Sequence, residues 1–230
     1  MGGMLVFVDN EHIDAYAKSW GEKIMAARVR IKYRLEDLTG DHCLIVRYNQ
    51  VTPALLNQLE AKAIFISGSS ANPDEYDPAD LVGLHTAVTS KQWPVFGFCG
   101  GFEVLAEAFG IAVAPIGPLA ADETDHNPNF APGMKKEFGY LPIKLTKSHP
   151  LLAGLGDAPI MRQAHSWEAK AVPKDFENYG ETAVSHHQIF IHNTHPIIGT
   201  QFHPEYYTDE HPSGRTLIHN FCQQAGLIKQ

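Results

Sequence analysis

Short apolar runs and amphipathic stretches alternate through the first half of the chain. Leu5 to Val8 is a run of four aliphatic and aromatic residues and predicts a strand. A helical spacing follows over roughly Asp14 to Val29, then a second strand over His42 to Tyr48. Pro53 to Lys62 places Leu55, Leu56 and Leu59 on one side of a helix. Ala63 to Ser67 is uniformly apolar up to its last residue, as a strand buried on both faces requires. Pro78 to Lys91 predicts a helix with proline at its first turn, Val95 to Phe98 a fourth strand, and Gly101 to Phe109 a helix. This rhythm predicts an α/β fold with a mostly parallel central sheet and helices on both faces.

The second half has a different texture. Glu137 to Leu145, Ile160 to Ala164, Thr182 to Ser185, Gln188 to His192 and Ile197 to Phe202 predict strands joined by short links, which suit antiparallel pairing and a small additional sheet. Pro115 to Pro132 is rich in Pro, Ala, Asp and Asn and predicts a loop, and a helix from about Pro212 to Ala225 closes the chain. No repeat or linker divides the sequence, so residues 1–230 are expected to form one domain.

Composition narrows the function. Of 230 residues, 44% are hydrophobic and 19% charged, which suits a globular core and excludes a disordered chain. The net charge of −8, without a Lys/Arg run, argues against nucleic acid as a partner. No apolar run approaches the roughly 20 residues of a membrane span, and the short start at Leu5–Val8 lacks the basic flank of a signal peptide. Gly2 follows Met1, but Val6 breaks the N-myristoylation pattern. Three scattered cysteines, Cys43, Cys99 and Cys222, speak for a reducing, cytoplasmic compartment.

The most informative segment is Gly97-Phe98-Cys99-Gly100-Gly101, at a predicted strand-to-helix junction. Gly-x-Cys-x-Gly at such a junction is the thiol form of a nucleophile elbow. A thiol just before a helix start is expected to gain acidity from the free N–H groups there. Taken alone, a buried structural cysteine would look similar; Cys43, within an apolar strand, and Cys222, within the last helix, are expected to be that. A cysteine nucleophile needs a histidine near in space. The segment Gln201-Phe202-His203-Pro204-Glu205 supplies one at a strand end, with Glu205 two residues on, where an extended chain points both side chains to the same side.

Together, the elbow, about one hundred residues of sheet-forming chain, and Gln-Phe-His-Pro-Glu resemble the class I glutamine amidotransferases over roughly Leu5 to Phe221. Ile66-Ser67-Gly68-Ser69 matches the family's oxyanion loop, and His165-Ser166-Trp167 is similar to a family segment near the substrate pocket. The resemblance implies a flavodoxin-like fold and a Cys99–His203–Glu205 triad. It implies an oxyanion held by Gly100 and Ser69 next to Gly68, and a substrate pocket that includes Glu103, His165 and Ser166. The implied reaction is attack on the γ-carboxamide of glutamine, or a γ-glutamyl compound, through a thioester, with ammonia released. No cofactor or metal is implied. The partners implied are the small-molecule substrate and a separate ammonia-accepting synthase chain, with a homo-oligomer also open.

Two departures from the family pattern bear on the substrate. The family usually carries Gln four residues after the nucleophile, where this chain has Glu103, expected on the Cys99 face of the helix. The oxyanion loop usually reads Gly-Gly-Pro, where this chain has Gly68-Ser69-Ser70; a serine tolerates positive φ poorly, so a hole that is not preformed is expected. Three functions follow as expectations: a glutaminase, a γ-glutamyl hydrolase or peptidase, and a binding or regulatory homologue without turnover. The histidines His186, His187, His192 and His195 lack a cysteine pair or acidic partner at metal-ligand spacing and are not expected to hold a metal. A glutamine-site electrophile is expected to label Cys99 and spare Cys43 and Cys222 in the folded chain, read by peptide mass spectrometry; preferential labelling of either other cysteine would count against the elbow.

Overall fold

The computed structural model describes residues 3–228; Gly2 lies outside the described residues. The strand β1 (Leu5–Asp9) leads to a short 3-10 turn, Ile13–Ala17, and then to α1 (Gly21–Thr39). This differs from the single helix expected over Asp14 to Val29. The helix begins at Gly21, whose missing Cβ lets the chain fold back onto the Tyr16 carbonyl, and runs on until Gly40 terminates it at φ +73°. β2 (Cys43–Arg47), α2 (Pro53–Gln58), β3 (Ala63–Ile66), α3 (Pro78–Thr89), β4 (Val95–Phe98) and α4 (Gly100–Ala108) complete the alternating half.

The second half carries β5 (Val113–Pro115), β6 (Glu137–Pro142), β7 (Lys144–Leu145), β8 (Ile160–His165), β9 (Trp167–Ala169), β10 (Phe176–Asn178), β11 (Gly180–Glu181), β12 (Ile189–His192) and β13 (Ile197–Thr200). α5 (Ser213–Gln224) follows. Thr182 to Ser185 is a turn rather than the expected strand, because the Thr182 hydroxyl accepts the Ser185 N–H at 3.0 Å and closes it. The long strand expected over Glu137 to Leu145 is two pieces that pair with different partners: β6 with β8 and β7 with β11.

The seven-stranded sheet has the order β10-β12-β13-β4-β3-β1-β2. β2, β1, β3, β4 and β13 are mutually parallel, and only β12 and β10 run antiparallel at one edge. β13 therefore joins the parallel core beside β4, although its short link to β12 predicts a purely antiparallel setting. Alternate side chains build two cores. Leu5, Phe7, Phe65, Phe96 and Phe98 pack with Ile31 and Leu35 of α1 and Leu217 and Phe221 of α5 on one face. Val6, Val8, Ile64, Ile66 and Val95 pack with α2, α3 and α4 on the other. The parallel pairing fits strands buried on both faces.

The order of the strands sets the place of the site. From β1 the chain moves outward to β2 and then crosses back to β3 on the other side, so the connections leaving β1 and β3 diverge. Loops at the carboxyl ends of such diverging strands leave a crevice between them. Asp9 to Glu11, Ser67 to Ser70, Cys99 and Gln201 to Glu205 follow β1, β3, β4 and β13 and meet there. Two glycines let α4 settle close to the sheet: a Cβ on Gly97 would strike the Gly101 carbonyl oxygen, and one on Gly101 the Ile66 carbonyl oxygen. Gly97→Ala is expected to force α4 off β4 and cost roughly 1–3 kcal/mol, seen as a lower urea midpoint; a midpoint equal to wild type would refute the close-approach account.

Candidate functional site

Cys99 sits between β4 and α4 with φ +47° and ψ −104°, an unusual conformation for a non-glycine residue. Its N–H donates to Thr200 O at 2.7 Å, which ties the turn to β13. The thiol lies 3.9 Å from Ala164 O. Burial pushes the Cys99 thiol well above its ordinary pKa, Glu103 and then Glu205 push it further, and the Gly100 N–H and the Gln201 side chain oppose them. The expected gain in acidity from the helix start is thus outweighed by desolvation and two nearby carboxylates. Burial also pushes Cys43 and Cys222 up to about 12, so a difference in labelling among the three thiols must come from the site around Cys99.

His203 Nδ1 meets Glu205 Oε1 at 2.8 Å, and Glu205 is buried. The two are brought together by a 3-10 turn over Pro204–Tyr206, not by the extended chain the spacing suggests. The His203 N–H donates to Arg162 O at 2.8 Å, and Arg34 Nη1 donates to Glu205 O at 2.6 Å, so the turn is held from two sides. Gly68 separates the imidazole from the nucleophile. A Cβ built on it would stand 2.6 Å from His203 Cε1 and 3.5 Å from Cys99 Cβ. Glycine is needed there to let ring and thiol share one space.

Ser69 has a negative φ: among the described residues, the non-glycine positions with positive φ are Glu60, Lys91, Cys99, Ala131 and Asp175. The strain expected of a serine in the loop is therefore absent. The Ser69 side chain meets Tyr76 Oη at 2.5 Å and donates to Glu11 Oε1 at 3.2 Å. Gly100 lies against it; a Cβ on Gly100 would be 2.9 Å from Ser69 N and 3.3 Å from Asn10 Nδ2.

Glu103 lies close to Cys99, as its helical spacing predicts. It is buried, and Gln201 Nε2 donates to Oε1 at 3.1 Å. Burial pushes its carboxyl up to about 7, against the opposing pull of Gln201 and His165. Asn10, Ser69, Tyr76, Gly100, Glu103 and Glu107 line a cavity of about 20 Å³. Asn10 Oδ1 is buried there without a hydrogen-bond partner among the described residues. His165 is buried, and both ring nitrogens are engaged: Nε2 with Glu137 Oε2 at 3.0 Å and Nδ1 with Trp167 O at 2.8 Å. It therefore offers no free nitrogen to a ligand, and its neighbour Ser166 is also buried. Sequence reasoning missed Asn10, Gln201 and the Glu137 partner of His165.

On the other side of His203, a cavity of about 260 Å³ is lined by Trp20, Ile24, Ala27, Arg28, Ser70 and Tyr206, among others. Outside this region, the clustered histidines serve local structure. His192 Nδ1 accepts the Thr194 N–H, and His187 Nδ1 bonds Ala169 O at 2.8 Å. No group of three or more His, Cys, Asp or Glu is placed to hold a metal ion among the described residues. No helix among them is long and apolar enough to cross a membrane.

The family described as glutamine amidotransferase class-I matches residues 30–225. One of the two or more chains of a glutamine-hydrolyzing GMP synthase, from Thermoplasma volcanium, is 30% identical over 166 residues, covering 70% of this chain and 71% of the relative. The glutamine-hydrolyzing GMP synthase of Phenylobacterium zucineum is 27% identical over 225 residues, 96% of this chain; the chain spans only 38% of that relative's length. A glutamine amidotransferase from Thermotoga maritima shares the fold, with a TM-score of 0.67, 12% identity, and coverage of 98% of this chain and 99% of that one.

The Glu103 carboxyl makes a pH dependence. Its value is raised in the folded state from 4.5 to about 7, so over that window the unfolded chain ionises first. Stability conferred by the neutral group is complete below about pH 4.5 and is lost as pH rises through 7, on the order of 3 kcal/mol in all. Glu103→Gln is expected to remove this slope, raising the urea midpoint at pH 8 above wild type, and to lower the apparent pKa for alkylation of Cys99. A mutant with the wild-type slope and alkylation profile would show that Glu103 keeps its charge away from both.

Proposed function

We propose, on the footing that this chain belongs to the class I glutamine amidotransferase family, that residues 1–230 act as one amidohydrolase domain with Cys99 as nucleophile, His203 as acid–base and Glu205 as orienter. One observation carries this assignment most: Cys99 and His203 flank Gly68 at the ends of the adjacent parallel strands β4 and β13, with Glu205 2.8 Å from the far ring nitrogen.

In the resting site the thiol is neutral. Glu205 accepts from Nδ1, which leaves His203 Nε2 as the base. As Sγ bonds to the γ-carboxamide carbon, the thiol proton passes to Nε2 and the carbonyl π electrons move to oxygen. The N–H groups of Gly100 and Ser69 receive that oxyanion. His203 then protonates the leaving nitrogen, the C–N bond breaks and ammonia departs, leaving the thioester. Water, deprotonated by His203, attacks the thioester and releases glutamate and the free thiol. Transfer of the proton only as attack proceeds is consistent with a thiol held above its ordinary pKa.

Glu103 and the orphaned Asn10 carbonyl suit the α-ammonium of a γ-glutamyl group, since both accept hydrogen bonds. The cavity of about 260 Å³ beside His203 favours a second substrate class. It exceeds the ~30 Å³ share of a water-sized leaving group, and Trp20, Ile24 and Ala27 give it an apolar wall suited to the amine of a γ-glutamyl amine or peptide. The Thermoplasma volcanium relative, named as a subunit, supports a separate synthase chain as the alternative occupant and ammonia acceptor.

Steady-state assays with glutamine beside γ-glutamyl amines test the proposal. The chain is expected to release ammonia or amine, with Cys99→Ala inactive and His203→Ala slower by about 10²–10⁴-fold. Glu205→Gln should cost less, because the orienter exchanges no proton with substrate. Near-normal turnover by His203→Ala would remove His203 as the base, and no turnover of any γ-glutamyl substrate by wild type would leave the binding homologue as the function.

A further inference from the structure

We propose that Arg28 is a positioning residue that locks the Gly68–Ser69 peptide with its N–H aimed at the acyl oxygen, so that the oxyanion site is preset in this chain. The proposal rests on the hydrolysis proposed above and adds the group, outside the triad, that sets its geometry.

The loop after β3 is pinned at both ends by one buried ion cluster. Arg28 Nη2 donates to Gly68 O at 2.8 Å, and Ser67 Oγ donates to the same oxygen at 2.9 Å. At the other end, Glu11 accepts the Ser70 N–H at 3.0 and 3.1 Å through its two oxygens and the Ser70 hydroxyl at 2.9 Å. Arg28 is itself fixed: its Nε donates to Asp9 Oδ1 at 2.7 Å and its Nη2 reaches Glu11 Oε2 at 3.4 Å. Asp9 is held in turn by the Tyr16 hydroxyl.

Between the two pins lies one free donor. Among the described residues the Ser69 N–H has no hydrogen-bond partner. The peptide is trans, so its N–H points opposite to the Gly68 carbonyl and away from Arg28. Ser69 N lies against Gly100, the residue whose own N–H borders the Cys99 thiol. A flipped peptide would turn the N–H toward a guanidinium, donor against donor, and leave a buried cation without its acceptor. It would also bring a carbonyl oxygen into the space meant for an oxyanion. Glycine at 68 cannot be traded for a bulkier residue to stiffen the turn, because His203 Cε1 occupies the place of a Cβ. A lysine would carry the charge but cannot present the fork that reaches Asp9, Glu11 and Gly68 together.

The test compares wild type with Arg28→Lys, which keeps the charge that neutralises Asp9 and Glu11, and with Glu11→Gln, which loosens the other pin. For Arg28→Lys, kcat for glutamine is expected to fall between about tenfold and 10³-fold, the upper end being loss of one oxyanion donor, with KM within about twofold. Affinity for glutamate γ-semialdehyde, whose hemithioacetal oxygen takes the oxyanion place, is expected to fall by the same factor. Glutamine binding, measured in a Cys99→Ala background, should not change. Glu11→Gln is expected to show the same pattern at smaller size, and it carries the test if Arg28→Lys does not fold. Equal loss of glutamine and semialdehyde binding, or no loss of either, would overturn the clamp. If wild type neither hydrolyses glutamine nor binds the semialdehyde, the hydrolytic function fails. The crystal structure of Arg28→Lys then decides the clamp alone: a peptide still in the wild-type orientation overturns it, and a flipped or divided one upholds it.

Discussion

The sharp turn at Cys99 is the constraint from which the rest of the site follows. A non-glycine residue at φ +47° and ψ −104° is held in sparsely populated backbone, at a cost of order 1–3 kcal/mol. It persists because both sides of the turn are over-determined. β4 is buried on both faces and paired to β3 and β13, and α4 is seated against the sheet through Gly97 and Gly101. The bond from the Cys99 N–H to Thr200 O binds the turn to the strand that carries the histidine. The spacing between thiol and imidazole is therefore a property of the sheet, not of two flexible loops.

Around that turn the molecule gathers negative charge rather than dispersing it. Glu103 and Glu205 border the thiol, Glu137 lies behind His165, and Asp9 and Glu11 sit at the end of β1, all buried. Each has a named answer: Gln201 for Glu103, His203 for Glu205, His165 and Gln188 for Glu137, Arg28 for Asp9 and Glu11. Arg28 shows the balance plainly. Burial pulls its pKa down, yet Asp9 and Glu11 outweigh burial and the group ends above its ordinary value. Buried carboxylates of this kind are tolerated because each meets a donor.

How much of this is legible in the sequence depends on the distance over which each interaction acts. Gly-x-Cys-x-Gly and His-Pro-Glu encode contacts within a few residues, so their placement at strand ends can be anticipated, and so can the parallel sheet. The partnership of Asp9, Glu11 and Arg28 with Gly68 cannot. It joins residues up to 59 positions apart that, one by one, resemble charges on a solvated helix and loop. The start of α1 escapes the sequence for a related reason: its N-terminus is set by contact between Gly21 and Tyr16, not by a capping side chain. Ser69 looks strained from the sequence only if the glycine of the family pattern marks a positive φ, and this backbone does not adopt one.

Keeping the nucleophile as a neutral, buried thiol has a consequence for how long it survives. Peroxide and disulfide exchange act on thiolate, and susceptibility follows thiolate character and exposure. Cys99 is only 4% exposed and is held above its ordinary pKa by its own neighbours. Oxidation to sulfenic acid therefore finds little to attack between turnovers. The residue becomes a strong nucleophile only while an acyl group is in contact with it and His203 can take its proton, so the carboxylates that restrain its acidity also act as its antioxidant shield.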